Sequence, residues 1–342
     1  MQDRKKYLSS PEKTIEVGPK SVSALLDAMA ETGFQGKRLG EAARIWCEMV
    51  DQKDLTIFMG YSGSLSTTGQ WKIVRWLIEN RYIDVLVSTG ANISEDILEA
   101  MGYKYYQGTW LANDEDLLEN KIDRFYDIYA DEYDYRQLEG LIRKFASTLD
   151  PKRAYSTREF LNRFGEYQWK KGIKSITATA WKNDVPIYSP GLIDSGYGVA
   201  LSLLMREEGK KIQLDQTQDM EELGQIADKT RTAVVYVGGG VPKDTIQLAT
   251  IIKSLSEGGE EATPHDYAIQ ITTDSPQWGG LSGCTLEEAI SWGKIAPDST
   301  RSVVYCDATI ALPLIAHAMN EKAKKRKEAP DLSWVFKGQA KH

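Results

Sequence analysis

The chain has 342 residues, 42% hydrophobic and 27% charged, with a formal net charge of −7. That length suits one large α/β domain or about two smaller ones with a sizeable core, and no run of about 18 apolar residues is present to span a bilayer. The acidic balance weighs against partners bound by bulk positive charge, nucleic acid and acidic membranes alike; three scattered cysteines and three histidines weigh against a disulfide framework or a His-rich metal site.

The first twenty residues, "MQDRKKYLSSPEKTIEVGPK", are charged without an apolar stretch, so no secretory signal is read and a cytoplasmic location is expected. Residues 1–50 read as a helical N-terminal extension through "SVSALLDAMAETG" and "KRLGEAARIWCEMV". Residues 51–320 read as a single α/β domain. In it, short apolar runs recur and end in small or hydroxyl-bearing residues: "LTIFMGYSGS", "DVLVSTGAN", "VPIYSPGLIDSG", "AVVYVGGGVPKD", "DYAIQITTD" and, from Ser302, "SVVYCDATIALP". Amphipathic helix-length stretches such as "QWKIVRWLIEN", "SEDILEAMG", "DTIQLATIIKSL" and "TLEEAISWG" separate most of them. Alternation of this kind predicts a doubly wound, mostly parallel sheet with helices on both faces. The strands are almost continuously apolar, as burial on both faces requires. Residues 112–164 read as a helical excursion within the domain, and residues 321–342 as a basic tail. In that tail "KAKKRK" (Lys322 to Lys327) reads as a solvated helix C-terminus favoured by the macrodipole rather than a polyanion patch.

Ligands of such sheets bind beyond the carboxyl ends of the strands. Those ends carry "GYSGSLSTTG", "STGAN", "GLIDSG", "GGGVPKD", "ITTD" and "CDAT", where glycines admit a ligand to the backbone and following helix N-termini favour phosphate. A dinucleotide or similar phosphorylated ligand is the default, although the GxGxxG spacing is absent. Gly238, Gly239 and Gly240 imply either a tight turn or ligand contact. Asp194 and Asp307 read as acceptors of ribose hydroxyls or as helix caps. Glu288 stands three residues after Thr285, the spacing of a capping box, and is otherwise a functional carboxylate. In "EEAISWGKIA", Lys294 is either a lysine with a solvated head or a nucleophile that must act as the neutral amine; in an extended segment Trp292 would lie on the same side and wall a cation site.

Taken in order and spacing, "GYSGSLSTTG", "VSTGANISEDIL", "SPGLIDSGYG", "VGGGVPKD", "DYAIQITTD", "EEAISWGKI" and "YCDATIALPL" resemble deoxyhypusine synthases from about Asp54 to His317. The resemblance implies a Rossmann-like, NAD-dependent transferase of polyamine metabolism. Hydride leaves a carbon beside the spermidine secondary amine, the butyl fragment passes to Lys294 as an imine and then to an acceptor amine, and the hydride returns. The family's acceptors are a translation-factor lysine or, in the related homospermidine synthases, putrescine; its members are homotetramers with active sites across a dimer interface. The implied NAD-side positions are Ser64, Thr67, Thr89, Gly90, Ala91, Glu95, Asp194, Gly238, Gly239, Gly240, Thr273 and Asp307. On the amine side Trp292, Lys294 and Glu288 are kept, while Asp244 stands where the family has a histidine and becomes the candidate proton acceptor. Val199 replaces an aspartate, Trp278 and Leu281 replace two acidic residues, and Gln270 replaces a tyrosine. The expected substrate is therefore spermidine or another alkylamine. The alternatives are true deoxyhypusine formation on a protein lysine and a catalytically silent NAD-binding homologue.

Overall fold

The structure, a computed structural model, describes residues 6–256, 262–326 and 328–337. Six parallel strands form the central sheet: β1 (Leu55–Tyr61), β2 (Val85–Ser88), β3 (Ile187–Tyr188), β4 (Arg231–Val237), β5 (His265–Thr272) and β6 (Ile295–Tyr305). Their order across the sheet is β3-β2-β1-β4-β5-β6, the order of doubly wound dinucleotide-binding sheets, whose direction of winding reverses between β1 and β4. The expected fold class is thus observed. Every residue of β1 is buried because each face has its own apolar layer. Ile57, Met59 and Tyr61 belong to one layer, and Phe58 to the other with Val234, Tyr236 and Ala268.

Two helices precede the sheet, α1 (Val22–Ala30) and α2 (Phe34–Asp51). The Ser21 hydroxyl accepts a hydrogen bond from the Ala24 amide at 3.2 Å and caps the first. They pack into the body of the domain. Trp46 is fully buried, with its indole N–H donating to the Tyr82 carbonyl at 3.1 Å. Ser302 of β6 donates to the Arg38 carbonyl at 3.1 Å, and the Tyr305 amide to Gln35 Oε1 at 2.7 Å, so α2 supplies partners to the edge strand. The further helices used below are α3 (Trp71–Glu79), α4 (Asn92–Ala100), α5 (Gly196–Glu208), α6 (Gly240–Ala249), α7 (Leu286–Ser291) and α8 (Ala308–Lys322). No helix among the described residues is long and apolar enough to cross a membrane.

Three local expectations need correction. The excursion at 112–164 is not wholly helical: Ile122–Phe125 and Ile128–Asp131 pair antiparallel, and the second also pairs with Tyr106–Gln107. The connecting turn is Tyr126–Asp127, with Tyr126 at φ +56°. Without Gly or Asn at that position, nothing in the sequence marks a hairpin. Strand β6 starts at Ile295, well before Ser302, because an edge strand tolerates Pro297 and absorbs it where the pairing register with β5 shifts.

The third correction concerns the basic tail. Arg326 is buried rather than solvated: its guanidinium meets Asp84 at 2.7 Å and also donates to the Leu55 carbonyl. Asp84 in turn accepts from the Ile57 amide at 2.8 Å and from Arg81 at 3.0 Å. A buried carboxylate and guanidinium satisfy one another here at the start of β1 and β2, and Leu332 and Val335 beyond them join the second apolar layer. Lys327 and residues 338–342 lie outside the described residues. Replacing Arg326 by Ala leaves Asp84 charged, buried and short of a partner. Urea unfolding should show a loss of about 3–5 kcal/mol, while Lys324→Ala and Lys325→Ala, at exposed positions, should stay within about 0.5 kcal/mol of wild type.

Candidate functional site

The strand-end residues converge where the winding reverses. The loop after β1 turns at Gly63 (φ +80°), and the Ser62 hydroxyl donates to the Gly239 carbonyl in the loop after β4. Ser64 donates to Glu95 at 2.7 Å, Thr67 to the Ser64 carbonyl at 2.8 Å, and Thr89 to the Gly63 carbonyl at 2.9 Å. Glu95 occupies the first turn of α4, and burial pushes its carboxyl up to about 7 against the opposing Ser64 bond. Its neighbour Asp96 is also raised to about 7 by burial, and it accepts from the Ile176 amide at 2.5 Å.

Several glycines have reasons inside the chain. Gly238 and Gly240 hold φ values of +77° and +58°, and a side chain on Gly239 would collide with the Ser282 backbone. A side chain on Gly90 would strike Leu192 and Ser195, which packs the β2 end, including Ala91, against the loop that bears Asp194. Asp194 and Thr273 are exposed. Asp307 caps α8, accepting from the Thr309 amide at 2.7 Å and the Thr309 hydroxyl at 2.6 Å.

Lys294 is reached by a different route. It stands at the beginning of β6, the opposite end from the strand-end loops. Helix α7 is capped at its start by Thr285, whose hydroxyl accepts from the Glu288 amide at 3.0 Å. It ends in a Schellman turn: Gly293, at φ +70°, donates to the Ile290 carbonyl at 3.0 Å, and the Lys294 amide donates to the Ala289 carbonyl at 3.1 Å. The segment is therefore not extended, yet the turn still brings the Lys294 ammonium within 5.4 Å of the Trp292 ring. Lys294 is only 9% exposed, and its ammonium contacts Asp244 of α6 at 3.1 Å.

A cavity of about 280 Å³ opens around this pair, lined also by Glu288, Trp292, Leu281 and Cys284. Asp244, Glu288, Leu281, Trp292 and Lys294 are thus brought together. Trp278, 76% exposed, and Val199, 43% exposed on α5, do not line it within the single chain. Gln270 lies behind the wall, buried and committed. Its side-chain oxygen accepts from Lys243 at 3.0 Å, and its nitrogen donates to the Ser282 carbonyl at 2.8 Å and the Gly238 carbonyl at 3.2 Å.

Sequence reasoning passed over Lys243, although it directly precedes Asp244. It has no exposed surface, and burial lowers its pKa. Besides Gln270, it donates to the Cys284 carbonyl, so it holds the loop that roofs the cavity. A larger cavity of about 590 Å³ lies beside Tyr155 and Tyr167, away from the strand ends. Its Arg153 and Arg163 are both paired with Glu159. Among the described residues no group of three or more His, Cys, Asp or Glu is placed to hold a metal.

Comparison with known proteins bears on the chain as a whole. The profile of the family described as deoxyhypusine synthase matches residues 24–319. A protein of Methanosarcina acetivorans named "Probable deoxyhypusine synthase 2" is 46% identical over 332 residues, 96% of this chain and 95% of its own length. A protein of the same name from Archaeoglobus fulgidus is 46% identical over 292 residues, 85% of this chain and 95% of its own. Among solved structures, a deoxyhypusine synthase-type protein from Entamoeba histolytica aligns with a TM-score of 0.64 at 19% identity. It covers 93% of this chain and 99% of that one, a likeness of fold.

The raised carboxyl of Glu95 gives a pH test. Its folded value of about 7 exceeds the ordinary 4.5, so the fold favours the neutral form. The stabilisation is full below about 4.5 and is lost as pH rises through about 7. Relative to Glu95→Gln, the wild type should lose stability in urea between about pH 5 and about pH 8; a pH-independent difference would contradict the assignment.

Proposed function

The chain belongs to the deoxyhypusine synthase family, and on that premise we propose that it is an NAD-dependent transferase moving an aminobutyl-type group from an amine donor through an imine on Lys294. Membership of the family makes it a transferase; the cofactor, the carrier and the steps are our reading. The observation that supports it most is the Lys294 ammonium, nearly buried and 3.1 Å from Asp244, beside an indole and a second carboxylate in one cavity.

The residues at the winding reversal fit a dinucleotide. A buried carboxylate, Glu95, is oriented by Ser64 and suits ribose hydroxyls, and the turns after β1, β2 and β4 present backbone amides. Ser64, Thr67, Thr89, Gly90, Ala91, Glu95, Asp194, Gly238, Gly239, Gly240, Thr273 and Asp307 would hold or border it. NAD, when bound, supplies the acceptor and later donor of a hydride at the carbon beside the reacting nitrogen.

The chain's own groups then have separate tasks. Lys294 reacts as the neutral amine, and Asp244 is placed to take its proton. Addition of the lysine nitrogen to the donor's C=N carbon, followed by cleavage of the original C–N bond, leaves the fragment on Lys294 and releases the remaining arm as an amine. Trp292 offers its ring face to a cation, and Glu288 a carboxylate. The reading includes the family's homotetramer with sites across a dimer interface. Exposed Trp278, Trp292 and Val199 support it as apolar surface left uncovered in the single chain.

Incubation with NAD and candidate amines, borohydride reduction and peptide mapping should place the added mass on Lys294. Lys294→Arg should abolish the adduct, and Asp244→Asn should slow its formation by roughly 10²-fold or more. No adduct on Lys294 with any amine would sink the reading.

A further inference from the structure

The cavity around Lys294 is also bordered by an amide without a partner. Gln247 lies one turn after Asp244 on α6 and lines the same cavity, as residues three apart share a helix face. It is 1% exposed, and its amide nitrogen is buried with no hydrogen-bond partner among the described residues. Tyr236 of β4 has no exposed surface, and its hydroxyl likewise lacks a partner. Burial raises the pKa of that hydroxyl well above its ordinary value, and the Gln247 side chain, close enough to be its hydrogen-bond partner, acts against the rise. Buried polar groups left unpaired are uncommon and costly, and these two can satisfy each other only in part. A phenol needs an acceptor for its hydrogen, and an amide supplies one through its oxygen. With the Gln247 oxygen turned to the Tyr236 hydroxyl, the amide N–H groups are left for the cavity side. The reverse orientation strands the phenolic hydrogen in the apolar layer of Phe58, Val234 and Ala268. Both residues are covered already in the single chain, so a neighbouring subunit that closes the mouth of the cavity leaves the pair as it is.

We infer that Gln247, oriented by Tyr236, donates a hydrogen bond to an uncharged acceptor atom of the bound amine and so selects among amines. An ammonium has no lone pair to accept that bond, and a methylene chain has no polar atom. Two sources of an acceptor are chemically available: the secondary nitrogen, which is unprotonated when the carbon beside it gives up hydride, and an oxygen substituent on the chain. That the ligand is an amine rests on the transferase reading above; the unpartnered amide does not.

The probes are spermidine, 1,4-diaminobutane, which lacks a secondary nitrogen, and 1,4-diamino-2-butanol, which carries a hydroxyl instead. Their binding to NAD-loaded wild type and Gln247→Leu is measured by calorimetry, and adducts on Lys294 are counted separately by borohydride trapping. If the nitrogen is the acceptor, Gln247→Leu weakens spermidine roughly tenfold and leaves both diaminobutanes unchanged. If an oxygen is, the hydroxyl compound binds the wild type roughly tenfold more tightly than 1,4-diaminobutane and loses that advantage in the variant. Tyr236→Phe combined with Gln247→Leu removes both polar groups at nearly constant shape and should unfold no earlier than wild type on heating. Earlier unfolding would show the pair to be satisfied within the chain and overturn the inference. Equal effects on all three probes, whether none, as from a lodged water, or a common loss, as from a disturbed wall, overturn it too. Selective weakening without any adduct on Lys294 supports the subsite and overturns the transferase reading. If no probe binds the wild type, the ligand is not such an amine and the inference falls with that reading.

Discussion

The candidate site depends on a lysine that never meets solvent. Burying the Lys243 ammonium costs several kcal/mol unless its donors are matched, and its acceptors come from separate parts of the chain, the Gln270 amide on β5 and the Cys284 carbonyl of the roof loop. Gln270 also binds the carbonyls of Gly238 and Ser282. The triglycine turn, the end of β5 and the roof are consequently one hydrogen-bonded unit. Opening the roof would strand a charge. Because Asp244 follows Lys243 on the same helix, the carboxylate that faces Lys294 is fixed by the same unit.

The residues singled out fall into two regions of the sheet. Residues that suit a dinucleotide collect at the carboxyl ends of β1, β2 and β4, where the winding reverses. The cavity around Lys294 lies on the face covered by α6 and α7, and Lys294 enters it from the beginning of β6. A strand-end rule finds the first region and, through Asp244 and the loop after β5, part of the second, but not Lys294. The lysine is delivered by the stop of a helix, a Schellman turn whose glycine has a positive φ, rather than by a strand's end.

Much of this was legible in residue patterns, and the exceptions have physical causes. Continuous apolar strands separated by amphipathic helices announced the parallel sheet, and "SWGKI" singled out Lys294. The hairpin at Ile122–Asp131 was hidden because its turn uses Tyr126 at a conformation glycine or asparagine usually marks. Arg326 was hidden because a lone arginine in a basic run looks solvated; its burial follows from Asp84, some 240 residues away in sequence. Gln270 entered as a substrate-side position only because the resemblance sets it where the family has a tyrosine, whereas its side chain turns to Lys243, which local pattern marks as ordinary. Long-range polar pairing is common to Arg326 and Gln270: periodicity reports which face is apolar and is silent on which distant polar groups satisfy each other.

The main chain of Lys294 is held on both sides. Its amide is bound to the Ala289 carbonyl, and its carbonyl accepts from the His265 amide, each at 3.1 Å. Whatever the ε-nitrogen carries is therefore on a tether with a clamped base, free only in the torsions of its aliphatic stem. In the proposed transfer, a fragment on such a tether would swing within a sphere set by the length of the lysine, so donor and acceptor would both have to come within that reach of one fixed point. Under that reading the selection of partners would be partly a matter of distance from β6, independent of the charges that line the way.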